Sequence, residues 1–336
     1  MKEGKPDAVA AAAQKALDRL ENKKTVLPET RVWALEILAV ARSMQGDSAS
    51  SNRIFAQSYE LLDRIGQQDS GVAGVVLNNW ANNLAVTSPS EALALHQRVI
   101  AIFEGQDPES VPMPVRLNYG FELNRLARFR EARAAHESVR AAALKHDNTR
   151  MLGLSDIGLA AACRGLGDLA CARAALREAG PALRPFPPGQ RVFADLARER
   201  GLLAAAEGRV DEARQLLAEA LAIHTRVPEK HVSHVATLLE LANLELQTGD
   251  AAQAEAHARA ALVLAEHFRG GTQHSSWVGL SQAALGDIAA VRHEEAAARE
   301  WFRQAVDQIQ PTLGDAHPVL VAIKKKLGDA PRSSAS

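Results

Sequence analysis

The stretch Asp195-Leu-Ala-Arg-Glu-Arg-Gly201-Leu-Leu-Ala-Ala-Ala-Glu-Gly208-Arg-Val-Asp-Glu-Ala213-Arg-Gln-Leu-Leu217-Ala-Glu-Ala220-Leu221 decides the fold of this chain. Apolar residues recur at helical spacing on both sides of Gly208. Glycine tolerates the left-handed conformation that ends a helix, so Gly208-Arg209 marks a reversal. Asp211 and Glu212 then suit the positive N-terminal end of a second helix. Gly201, Ala213 and Ala220 are small where two antiparallel helices cross, and a larger side chain there would push the pair apart.

The same plan runs outward in both directions. Ser51, Ala92, Ala132, Ala172, Ala213, Ala254 and Ala298 recur at spacings of 41, 40, 40, 41, 41 and 44 residues. Self-similarity at such a period is the signature of stacked helical units. Reversals fall at Gly46-Asp47, Ser88-Pro89, Ala127-Arg128, Gly167-Asp168, Gly208-Arg209 and Gly249-Asp250, with a further turn at His293-Glu294. Unit one departs from the plan by placing Ser51 and Ser58 where the others carry alanine or valine. The prolines, from Pro28 to Pro318, are expected in the connectors, because a helix interior tolerates proline poorly. The Gly180–Gly189 stretch is the strongest local break, either a long loop or a hinge.

Composition narrows the functional classes. The chain has 336 residues, 4% aromatics and a net charge of −1. Scarce aromatics and abundant alanine suit close-packed helices and not a β-rich core. A balanced charge gives no bulk surface for nucleic acid, although a local basic strip stays open. No run approaches the roughly 20 apolar residues of a membrane span. With no signal-peptide pattern at the N-terminus either, a cytoplasmic location and no membrane partner are expected. Cys163 and Cys171 are the only cysteines and are expected as buried free thiols. No phosphate loop, nucleophile elbow, kinase motif set or His-Glu-x-x-His occurs, so neither catalysis nor a cofactor is expected. His231-x-x-His234 has the spacing of two ligands on one helix face, but a metal site needs more ligands nearby.

The pattern of a small residue in the first helix, a Gly-Asp or Gly-Arg turn, then Ala and a second Ala seven residues on, resembles the tetratricopeptide repeat. The long period, Leu77-Asn-Asn-Trp-Ala-Asn-Asn-Leu84 and Leu313-Gly-Asp-Ala-His-Pro318 resemble its kinesin light chain-like variety. The resemblance covers residues 30–327 and implies an all-α, right-handed solenoid. It divides the chain into an N-terminal helix in 1–29, seven repeats in 30–310, a capping helix in 311–328 and a disordered tail in 329–336. Ala8–Leu20 reads as the second helix of a unit whose first half is missing, or as a cap.

First helices of such repeats line a concave groove. The resemblance places Asn78, Asn82, Asn118, Asn124, Arg125, Arg164, Asp195, Arg198, Asn243 and Asp287 there. Asparagine amides both donate to and accept from a peptide backbone, and arginines fork onto carboxylates. The implied partner is a protein or peptide, extended or acidic, held by a non-catalytic scaffold. Similar arrays follow the kinase domain in bacterial serine/threonine kinases, which makes a regulatory segment of a larger signalling protein the alternative. The four tryptophans, Trp33, Trp80, Trp277 and Trp301, are expected as packing residues.

Overall fold

The structure, a computed structural model, describes residues 5–21, 27–105, 110–187, 189–227 and 231–328. These residues form sixteen helices and no strand. Helix α1 (Lys5–Glu21) precedes the hairpins and packs on the first of their helices. Seven antiparallel hairpins follow: α2 (Pro28–Met44) with α3 (Ser48–Arg64), α4 (Gly71–Leu84) with α5 (Pro89–Glu104), α6 (Met113–Arg125) with α7 (Phe129–Lys145), and α8 (Thr149–Gly165) with α9 (Leu169–Leu183). The remaining three are α10 (Arg191–Ala206) with α11 (Val210–Arg226), α12 (Val232–Gln247) with α13 (Ala251–Arg269), and α14 (Ser276–Val291) with α15 (Glu295–Leu313). Helix α16 (Pro318–Leu327) packs on α15.

The reversals show why Gly-Asp recurs. Gly208 has φ 78°, a conformation that costs glycine nothing and other residues a steric penalty. The aspartate that follows such a glycine caps the next helix: Asp47, Asp168 and Asp250 each accept a backbone N–H, from Ser50, Cys171 and Gln253, at 3.0 Å. Caps of this kind stabilise a helix by about 1 kcal/mol each. Three reversals lack glycine: at two of them Ala127 (φ 57°) and His293 (φ 62°) are held in the left-handed region instead, and the turn before Pro89 uses no left-handed residue.

The crossings explain the small residues. A Cβ on Gly201 would lie 3.0 Å from Leu217 Cγ and 3.2 Å from the Ala213 carbonyl oxygen. Ala213, Ala220, Ala254 and Ala261 are all fully buried at such contacts. The serines of unit one satisfy the same geometry by a different route. Ser51 Oγ donates to the Ala39 carbonyl at 2.9 Å, and Ser58 Oγ to the Val32 carbonyl at 3.3 Å. Each hydroxyl is buried but bonded to the facing helix, so the substitution leaves no orphaned polar group.

The coordinates correct several expectations. Cys163 and Cys171 are joined in a disulfide, Cα to Cα 5.8 Å, stapling α8 to α9; neither is a free thiol. The Gly167-Asp168 reversal brings the two helices close enough for the bond. Pro181 and Pro311 lie inside α9 and α15, not in connectors. Each sits in the last turn, where the hydrogen bond that proline removes is one of the helix's final ones. Gly180 likewise belongs to α9, so the break before α10 begins at Arg184. Trp33 is exposed at 40%, whereas Trp80, Trp277 and Trp301 pack in the core. Pro108, Pro188, Pro228 and the 329–336 tail lie outside the described residues.

Candidate functional site: the inner wall of a closed solenoid

First helices of successive hairpins touch one another (α6 on α8, α8 on α10, α12 on α14), while no second helices of successive hairpins pack to a comparable degree among the described residues. The stack therefore bends with its first helices on the short, inner side. The bend is tight enough to bring the two ends together. Ser276 N–H donates to the Thr87 carbonyl at 2.8 Å, Ala49 N–H donates to the Gly270 carbonyl at 3.0 Å, and α5 packs on α15. Gly270 is required at this seam: a Cβ there would stand 2.4 Å from the Gly46 carbonyl oxygen.

Arg125 is the centre of the closure. Its guanidinium donates to the Ala85 carbonyl and, at 2.9 Å, to Ser276 Oγ, and it lies 4.7 Å from the centroid of the Trp277 ring. The Arg125 carbonyl accepts from His317 Nε2 at 3.0 Å. Burial lowers the Arg125 pKa to about 10, with the Glu122 carboxylate opposing the shift. Even so, the side chain stays charged at neutral pH.

The inner wall has two chemically distinct arcs. On units two and three it carries amides: Asn118 Nδ2 donates to Asn82 Oδ1 at 2.8 Å, and Asn78 Nδ2 donates to Asn79 Oδ1 at 3.3 Å. On units four to six it carries charges. Arg164 and Arg198 share the buried carboxylate of Glu199, at 3.2 and 2.9 Å. Asp195 and Glu240 stand beside them, and burial pushes both carboxyls above their usual range against the pull of Arg198. Burial pulls Arg198 down, but Glu199, Asp195 and Glu240 outweigh it and leave its pKa raised. His224 and His231 stand nearby, lowered to about 4 and about 3, first by burial and then by charges including Arg191. The His224 ring stacks on His234 with centroids 5.4 Å apart.

The expected site residues therefore divide. Arg164, Asp195 and Arg198 come together, as do Asn78, Asn82 and Asn118. Asn124 is committed to packing: its Nδ2 donates to the Gly158 carbonyl at 2.9 Å and meets His136 Nε2 at 3.2 Å. Asn243 is exposed, and Asp287 is ion-paired with Lys326 of the final helix. Glu199, Glu240 and Arg191, on first helices, belong to this cluster, with His224 of α11 beside them, and none of the four is among the expected residues. Glu240 lies three residues before Asn243 on one helix face, which was a usable signal. His231 precedes α12 and caps it through Nδ1, so it does not share a helix face with His234. Among the described residues no group of three metal-ligating side chains converges.

The geometry defines an all-helical repeat solenoid with a polar interior wall. Residues 193–267 match the tetratricopeptide repeat family model, and the chain as a whole has the fold of a tetratricopeptide-like solenoid. Among solved structures it is similar to a Rap protein complexed with competence and sporulation factor, at 12% identity, TM-score 0.58, covering 96% of this chain and 94% of that one. It is also similar to the apo quorum sensor NprR from B. thuringiensis, at 12% identity, TM-score 0.58, covering 90% and 83%. A third is a signal transduction ATPase with a tetratricopeptide repeat sensor from Pyrococcus horikoshii, at 10% identity, TM-score 0.56, covering 97% of this chain and 53% of that one. Comparison with curated protein sequences finds no match. Among the described residues no helix is long and apolar enough to cross a membrane.

Proposed function

We propose that the protein is a non-catalytic interaction scaffold that holds an extended peptide, or an extended protein segment, against its inner wall. The observation that carries this reading is unspent hydrogen-bonding capacity facing the interior. Arg164 Nε, Arg198 Nε, Trp277 Nε1 and Asn78 Oδ1, all on first helices, are buried with no hydrogen-bond partner among the described residues. Buried polar atoms are normally paired, and a peptide backbone offers both donors and acceptors to these groups. The same fold in the Rap protein occurs complexed with a factor, which supports the reading. A second reading, that the chain is the sensor segment of a larger bacterial signalling protein, draws support from the sensor-bearing ATPase of the same fold.

Capture from a native lysate, followed by mass spectrometry, tests the proposal when run with the parent and with Arg198→Gln/Glu240→Gln. Glu240→Gln is mild for the fold, because burial already favours the neutral carboxyl. A peptide or protein segment captured by the parent and lost by the variant supports the inner wall. Equal capture by both overturns it.

A further inference from the structure

A second groove lies on the outer side of the solenoid. Helices α1 and α3 both pack on α2 but scarcely on each other. The gap between them is a cavity of about 670 Å³ with α2 as its floor. Its apolar surface comes from Leu17, Leu35, Leu38, Ile54 and Leu61, and its charged surface from Arg31, Arg42, Arg53 and Arg64 with one acid, Glu21. Four cations against one anion is a sharp local departure in a chain whose net charge is −1.

The arrangement has a register. Arg31, Leu35, Leu38 and Arg42 follow one face of α2, and Ile54, Gln57, Leu61 and Arg64 follow one face of α3. Because the two helices are antiparallel, Arg42 and Arg53 stand at one end of the groove and Arg31 and Arg64 at the other. The ends are eleven residues apart on each helix, or about 16 Å at 1.5 Å per residue. Arg31 meets Glu21 at 3.2 Å. The other three hydrogen-bond neutral groups: Arg42 to Gln45 Oε1, Arg53 to Ser50 Oγ, and Arg64 to the Glu60 carbonyl. Among the described residues these three have no carboxylate partner, which leaves their charge for a bound one.

We infer that this groove docks an acidic amphipathic helix of a partner protein, its apolar edge on the leucine floor and its carboxylates about three turns apart on the two arginine pairs. Charge complementarity selects an anion, and the recessed apolar floor selects among anions. A phosphate backbone carries no apolar edge to fill the recess, and a flat lipid surface does not reach into it.

The test uses the full chain and a labelled 16-residue peptide with leucines at positions 4, 8 and 11 and glutamates at both ends. Comparison probes are a scrambled peptide of equal composition, a peptide with glutamates at one end only, a 16-nucleotide single-stranded DNA and phosphatidylserine vesicles. The designed peptide is expected to bind the parent at least ten-fold tighter than either altered peptide, and to weaken at least ten-fold in Arg42→Glu/Arg53→Glu. These side chains are partly or fully exposed, and an unchanged helical melt confirms the fold. Arg198→Gln/Glu240→Gln, which disables the inner wall, is expected to leave this binding unchanged. Equal binding by the scrambled peptide, unaltered binding by the charge-reversed variant, or displacement of the peptide by DNA or vesicles at equal charge concentration would each overturn the proposal. Loss of binding in the inner-wall variant would overturn it too, by moving the peptide to the other face.

Discussion

Units two and three line the interior with amides, whereas units four to six line it with interlocked charges. The two arcs are held in place differently. In the amide arc the support is mainly steric, beside one buried His96–Glu122 contact at 2.7 Å: a Cβ on Gly120 would fall 2.7 Å from His136 Cε1, and one on Gly158 of the next unit 2.2 Å from the same atom, so both glycines leave room for that ring. In the ionic arc the support is electrostatic, with one carboxylate, Glu199, bridging two arginines. The lesson is that adjacent units of one repeat family reach a fixed wall through packing in one place and through charge in another. A side chain's neighbours therefore say more about its role than its repeat position does.

The largest effect is expected from breaking the ionic arc. Glu199→Leu leaves Arg164 and Arg198 without their shared anion. Removing one partner of a buried pair typically costs about 3–5 kcal/mol, and the low end applies because both arginines keep some solvent contact. Urea denaturation should show a loss of about 3 kcal/mol, and a midpoint within error of the parent would mean that the carboxylate does not organise the arc. Next comes Gly158→Ala on α8, where the unit-four backbone meets His136 of the amide arc; the methyl overpacks the ring and should cost about 2 kcal/mol. The measurement is the same, and a neutral result would show that the ring has room to shift.

pH sharpens the contrast. Burial lowers His136 to about 4, so between pH 6.5 and 4 the unfolded chain takes up a proton that the folded chain refuses. Stability from this group is present above pH 6.5 and is lost as the pH falls through that window. His224 and His231 act in the same direction. Asp195 and Glu240 act oppositely, since their raised folded pKa values let the native state bind protons first, as does Asp156 of α8, which burial raises to about 6. The ionic arc thus offsets its own histidines, and in unit three Glu122, raised by burial, opposes His136 in the same way. Denaturation midpoints at pH 7, 6 and 5 should fall in the parent and fall less steeply in His136→Gln. Parallel slopes would remove His136 from the pH response. The smallest effect is expected from Asn82→Ala, which loses one exposed amide pair and should change stability by under about 1 kcal/mol, while reducing capture of the inner-wall peptide.

Much of this architecture was legible because it is local. The Gly-Asp reversals, the small crossing residues and the serine replacements are each explained within one hairpin. The disulfide was not, because two cysteines eight residues apart read equally well as buried thiols until the reversal sets their spacing. Pro181 and Pro311 misled because the exclusion of proline from helices is weak in a last turn. Arg125 was assigned to the groove for its position in unit three, yet its partner Ser276 lies 151 residues away. No pattern within a repeat reports how far the whole stack curls. Asn124 falls in the expected groove for the same reason: the carbonyl it serves belongs to the next unit.

The contact around Arg125 and Gly270 changes how the molecule should come apart. An open array of nearest-neighbour units frays from its free ends, and each terminal hairpin can melt with little loss to the rest. Here the early hairpins are clasped to the late ones, so an end cannot peel away until the clasp lets go. Loosening that clasp converts a cyclic assembly into a linear one, and unfolding then broadens from a single sharp step into progressive unravelling.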